Sequence, residues 1–152
     1  KPETILSLSG KVDRGKLIFF SDGARCRICH DVNDANKSTG PTLGEIAKKY
    51  PRRSELLQHV LQPSLKVDDK FATYVVVTTK GRVLTGLLAK QTESEVTLRV
   101  PNDTRLVSIK RAEIDEMFKD KKSLMPERIL MDLTAQEAAD LLQYLQSVPP
   151  AK

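Results

Sequence analysis

A mainly α fold carrying one small antiparallel β insert is predicted by two observations on the 152-residue sequence. Apolar residues recur at helical spacing near both ends of the chain, and β-branched runs are confined to residues 73–110. Length bounds the rest, because a chain of this size makes one domain with a sizeable core. Residues 1–152 are therefore expected to form a single domain, with 73–110 inserted within it.

The first helix is expected over residues 12–20, where Val12, Gly15 and Phe19 share a face and Gly23 supplies a stop. Cys26-Arg27-Ile28-Cys29-His30 follows, then a polar loop from Asp31 to Gly40. Thr42 with Glu45 reads as a capping box ahead of Ile46 and Ala47, bounded by Pro51. Residues 54–62 place Leu56, Leu57, Val60 and Leu61 on one helical face before Pro63. Strands are expected over 74–78, 83–88, 96–100 and 106–109, joined by turns at 80–81, 91–94 and 101–104. Val96, Leu98 and Val100 alternate with Thr97 and Arg99, the pattern of one buried and one wet face, so the insert is expected to pack on the helical core. Residues 111–119 return to helical spacing through Ile114 and Phe118. Thr134 and Glu137 form a second capping box before Ala138, Leu141, Leu142, Leu145 and Val148, and Pro149-Pro150 ends that helix.

Aromatic residues make up only 5% of the chain and Trp is absent, so something besides side chains is expected to add bulk to the core. A formal charge of +5 suits an acidic partner without suggesting a histone-like role. No apolar run approaches the roughly 18 to 20 residues of a membrane span, and the chain reads as soluble. It opens at Lys1, as a processed product or a piece of something longer would.

Both cysteines lie in the CxxCH run, the attachment signature for a c-type haem. Two thiols three positions apart can add to the two vinyl groups of one porphyrin, and the next residue, His30, can place its imidazole under the iron. A redox disulfide, half of a zinc site and chance are the competing readings. Zinc needs further ligands, yet the only other histidine is His59 and there is no second CxxC. A thioredoxin-like dithiol belongs at a helix start after a strand, whereas here a helix precedes the motif and a loop follows.

Gly40-Pro41 is by itself a common turn dipeptide, but a stiff turn can also present a carbonyl to the second ring nitrogen of His30, which makes Pro41 a candidate partner. The sixth ligand must come from Met117, Met125, Met131 or His59. Met125 precedes Pro126 in an irregular stretch, where extended backbone can aim a thioether. Met117 and Met131 fall in expected helices as core fillers, and His59 lies beside Leu56, Leu57, Val60 and Leu61.

Gly15, Phe19, Cys26 to His30, Gly40-Pro41 with Leu43, Met125-Pro126 and Leu141 to Leu145 together resemble a class I cytochrome c. The resemblance implies first and last helices that cross, with Gly15, Phe19 and Tyr144 at the crossing. The order CxxCH, Gly-Pro-x-Leu, Gln62-Pro63-Ser64, Lys80 to Leu84 with Gly86, and Ser123 to Pro126 is closer still to the haem-binding domain of planctomycetes and verrucomicrobia. That domain often ends large predicted dehydrogenases. Six residues between Phe19 and Cys26, and the β insert itself, depart from the common cytochrome pattern.

The expected function is a mono-haem electron carrier with one covalent haem c, not an enzyme, located in the periplasm where such haems are attached. Redox proteins, including a dehydrogenase domain or subunit with an acidic docking surface, are the expected partners, with no nucleic acid and no membrane span. Arg25, Arg27, Lys119, Lys121 and Lys122 form either a positive docking rim or an ordinary solvated face. The alternative is a haem enzyme or gas-sensing domain with an open iron position, for which no distal His or Arg motif is visible. The β stretch faintly resembles small Sm-like barrels but has no aromatic stacking pair. Asp31, Asn33, Asp34 and Asn36 lack the turn Gly and terminal Glu of a calcium loop and read as a solvated loop.

Overall fold

Helix makes up 39% and strand 21% of the computed structural model, with all the strands in one five-stranded antiparallel sheet, so the fold mixes α and β and is not mainly α. The structure describes residues 1–101 and 106–149, so most of the turn expected at 101–104, and Pro150, lie outside it. The chain divides into two compact units, one formed by Lys1–Leu65 with the chain from Pro126 onward and the other by Lys66–Met125.

The helical unit contains α1 (Pro2–Ser7), α2 (Val12–Phe20), α3 (Leu43–Lys49), α4 (Arg53–Leu61) and α5 (Ala135–Ser147). Helix α1 has no counterpart among the expected elements, since six residues with one buried side chain, Ile5, give too short a pattern to read. Both capping boxes are present: the Glu45 amide donates to Thr42 Oγ1 and the Glu137 amide to Thr134 Oγ1, and each glutamate accepts the cap residue's own N–H in return. The expected face of α5 is buried along its length, through Ala138, Leu141, Leu142, Leu145 and Val148.

Helices α2 and α5 pack together through small and aromatic residues. A Cβ at Gly15 would collide with the Asp140 carbonyl oxygen and lie 2.7 Å from Tyr144 Cβ, so only glycine allows this approach. One turn on, the Phe19 and Tyr144 rings meet at 5.7 Å. Asp140, wholly buried, adds a polar staple. Its Oδ1 accepts from the amide of Lys11, the cap of α2, at 2.8 Å and from Gln136 Nε2 at 3.0 Å, while Oδ2 pairs with Arg14 Nε at 3.1 Å. The two hydrogen bonds to Oδ1 and the opposite charge of Arg14 offset the hydration lost on burial, while Oδ2 accepts no hydrogen bond among the described residues.

The second unit contains β1 (Thr73–Thr78), β2 (Val83–Gln91), β3 (Glu95–Arg99), β4 (Leu106–Lys110) and β5 (Ile114–Lys119), in the order β4-β3-β2-β1-β5. The first four strands form a meander, and β5 returns beside β1. Its core is Val76, Val96, Leu98 and Ile109, bordered by Leu84, Val107, Ile114 and Met117. Strand β5 corrects the helix expected at 111–119. Val77 pairs with Glu116 and Thr78 with Ile114, so Asp115 is an extra residue in a bulge. The bulge lets Ile114 and Met117 border one core, while Phe118, whose i+4 spacing from Ile114 suggested a helix, is 44% exposed. Strand β3 also departs from simple alternation: Thr97 is buried between Val96 and Leu98, with its hydroxyl 3.0 Å from that of Ser108 on β4.

A tight turn around His30

The CxxCH run folds as a single tight turn. Arg25 enters it in the left-handed region with φ of 54°, and Cys26–Ile28 form a 3₁₀ helix. Cys29 caps this helix, three positions after Cys26. Amides of Cys29 and His30 both donate to the Cys26 carbonyl, at 3.2 and 3.0 Å. Neither thiol is in a disulfide, and Cys26 Sγ lies 3.4 Å from the Ala24 carbonyl.

The segment 38–44 is laced back onto this turn. His30 Nδ1 lies 2.7 Å from the Pro41 carbonyl oxygen; with Nδ1–H as the donor, Nε2 keeps the lone pair that binds a metal. Gly40 makes that contact possible, since a Cβ there would stand 2.7 Å from His30 Cε1 and 3.1 Å from Nδ1. The Gly40 amide donates to the Cys29 carbonyl at 2.8 Å. The first amides of α3, from Leu43 and Gly44, donate to the carbonyls of Asp31 and Val32, so the helix start is satisfied by the two residues that follow the motif. The polar loop between is also ordered: Asp31 Oδ1 accepts from the amides of Asn33 and Asp34, which hold its carboxyl below the usual range.

Burial pushes the Cys26 thiol up to about 11 and raises that of Cys29 as well. It lowers the pKa of His30, against the opposing pull of the Pro41 hydrogen bond. Protonated thiols argue against a redox dithiol, whose attacking sulfur must be a thiolate near neutral pH. In chain made without haem, alkylation of Cys26 should therefore rise only as pH approaches 11. A midpoint near neutrality would restore the dithiol reading.

The other candidates are placed as follows. Met125, half-buried, is the last residue of the sheet unit; it lies outside helix and strand, with its amide donating to Ser123 Oγ at 3.1 Å. Met117 is on β5 and Met131 is 68% exposed in a turn, so neither sits in a helix as expected. The His59 ring stacks on Tyr50 with centroids 4.0 Å apart. Of the basic residues, Arg27 is paired with Asp22 at 2.9 Å and Lys119 with Asp69 at 2.7 Å. Among the described residues, no three His, Cys, Asp or Glu side chains converge as a metal site, and no helix is long and apolar enough to cross a membrane. Ser38, which no sequence motif singled out, stands within the segment that holds His30.

Compared with known families and with curated proteins, the chain matches no family model and no curated sequence.

Proposed function

We propose that the chain holds one covalent haem c on Cys26 and Cys29 and works as a mono-haem electron carrier, with His30 and Met125 as the axial pair. The observation that carries this reading is the 2.7 Å contact of His30 Nδ1 with the Pro41 carbonyl, next to two unpaired thiols on one turn. An imidazole whose Nδ1–H is engaged by a carbonyl has a fixed tautomer and a more basic Nε2, which is what an iron ligand needs. Two thiols three positions apart beside it have the sequence spacing by which one porphyrin's two vinyl groups are tethered. The donor set therefore fits the group, which when bound supplies a one-electron couple.

The chain's own part is to hold and tune. Cys26 and Cys29 form the tether, Pro41 orients His30, and a thioether from Met125 favours a higher potential than a second imidazole would. The periplasm, where haems of this kind are attached, is the proposed location, and a redox protein such as a dehydrogenase is the proposed partner. An acidic docking surface on the partner would meet Arg25 beside the motif, with Arg27 already engaged by Asp22.

The test is covalent attachment. The full chain, produced in a host equipped to attach haem c, should keep its colour in the protein fraction on acid–acetone extraction. Colour passing into the solvent, or none at all, overturns the proposal.

A further inference from the structure

Ser38 lies at the centre of the segment that holds His30, and its side chain is 3% exposed. Its hydroxyl touches three peptide groups: the proton is shared between the carbonyls of Gly40 at 2.7 Å and Cys29 at 3.1 Å, and the oxygen accepts from the Asp31 amide at 3.1 Å. The Cys29 carbonyl and the Asp31 amide belong to the two peptide bonds on either side of His30. The Gly40 carbonyl belongs to the peptide bond that enters Pro41. One hydroxyl thus grips both peptides of the histidine and the peptide preceding the carbonyl that orients it.

The residues between make this grip effective. Pro41 has its φ fixed by its ring, so holding the Gly40–Pro41 peptide places the Pro41 carbonyl carbon, and the bond from the Thr42 amide to Glu45 Oε2 at 2.9 Å holds the peptide plane to which that carbonyl belongs. Gly40 cannot take up slack by moving inward, since its Cα already lies against the imidazole. We infer that Ser38 is a positioning residue for His30, setting the strength of the Nδ1–H to Pro41 hydrogen bond through the backbone on both sides of it. For its redox consequence this rests on the electron-carrier reading. A firmer bond puts more electron density on Nε2 and favours the oxidised metal, so loosening it raises the reduction potential.

Two readouts on the full chain test this. In Ser38→Ala the ring proton of His30 seen by NMR should exchange about tenfold faster, as expected for losing a bond of this kind. In the haem-loaded protein the same variant should shift the potential upward, and Ser38→Thr, which restores the hydroxyl, should return both values to those of the parent. If Ser38→Ala does not fold, Ser38→Thr against Ser38→Val makes the comparison, since those side chains match in shape and differ in the hydroxyl. An unchanged proton and an unchanged potential in the variant without the hydroxyl would overturn the inference. If the parent chain takes up no covalent haem, the electron-carrier reading falls, and the proton exchange alone still decides the role of Ser38.

Discussion

Gly15→Ala should destabilise the chain by about 3 kcal/mol, although the same change on an exposed helix face stabilises by about 1 kcal/mol. The reversal follows from what the new methyl group would meet. The nearest atoms are the carbonyl oxygen and carbon of Asp140, which belong to the backbone of α5 and cannot rotate away, and then Tyr144 Cβ. Relief requires the two helices to move apart. That would loosen the Phe19–Tyr144 contact and the bond from the Lys11 amide to the buried carboxylate of Asp140, so a steric change also exposes a polar one. A shift of this size is a large share of the roughly 5–15 kcal/mol that holds a domain together, and Gly15→Val should exceed it. Urea unfolding followed by helical circular dichroism measures the change. A stability equal to or above that of the parent would show that α2 and α5 do not depend on this close approach.

Local chemistry made much of the helical unit legible. Thr42 with Glu45 and Thr134 with Glu137 mark helix starts because each side chain satisfies an amide that the helix cannot, and that need is the same in any surroundings. The alternating and β-branched runs located four strands for the same kind of reason. The failures differ in cause: α1 is too short to show a period, whereas β5 was hidden by its bulge. Asp115 adds one residue to β5, so Ile114 and Met117 border one core while Phe118, four positions from Ile114, is 44% exposed. With the fifth strand recovered, the segment read as a small insert in a mainly α chain becomes a sheet with its own core, and the fold class changes.

The candidate site divides in the same way. CxxCH and Gly-Pro are visible because their chemistry is written in consecutive residues. Ser38 was not visible, because its partners are backbone groups of Cys29, Asp31 and Gly40, and no residue type in the sequence reports a carbonyl's position. The loop of Asp, Asn and Ser read as merely solvated is a run of side chain to backbone bonds, from Asp31 to the amides of Asn33 and Asp34 and from Asp34 to that of Asn36.

Met125→Ala should remove the weak long-wavelength sulfur-to-iron band of the haem-loaded chain and let carbon monoxide bind the reduced form. The other donors are expected to leave that spectrum intact, each for its own reason. Met117 borders the sheet core with Val76 and Ile109, so Met117→Ala should destabilise the sheet by about 2 kcal/mol and change nothing at the iron. Met131 is mostly exposed in a turn whose amide is already bonded to the Arg128 carbonyl, and Met131→Ala should be silent in both stability and spectrum. The His59 ring is stacked on Tyr50, and His59→Ala should lose that contact and leave the spectrum unchanged. Met125 differs from all three in lying in irregular backbone before Pro126, with its amide tied to Ser123. Visible spectra of the four variants, with and without carbon monoxide, make the comparison. If the band persists in Met125→Ala and disappears in one of the others, the axial pair is assigned to that residue instead. If the parent itself binds carbon monoxide readily and shows no sulfur band, the iron has an open position, and the chain is a catalyst or sensor and not a carrier.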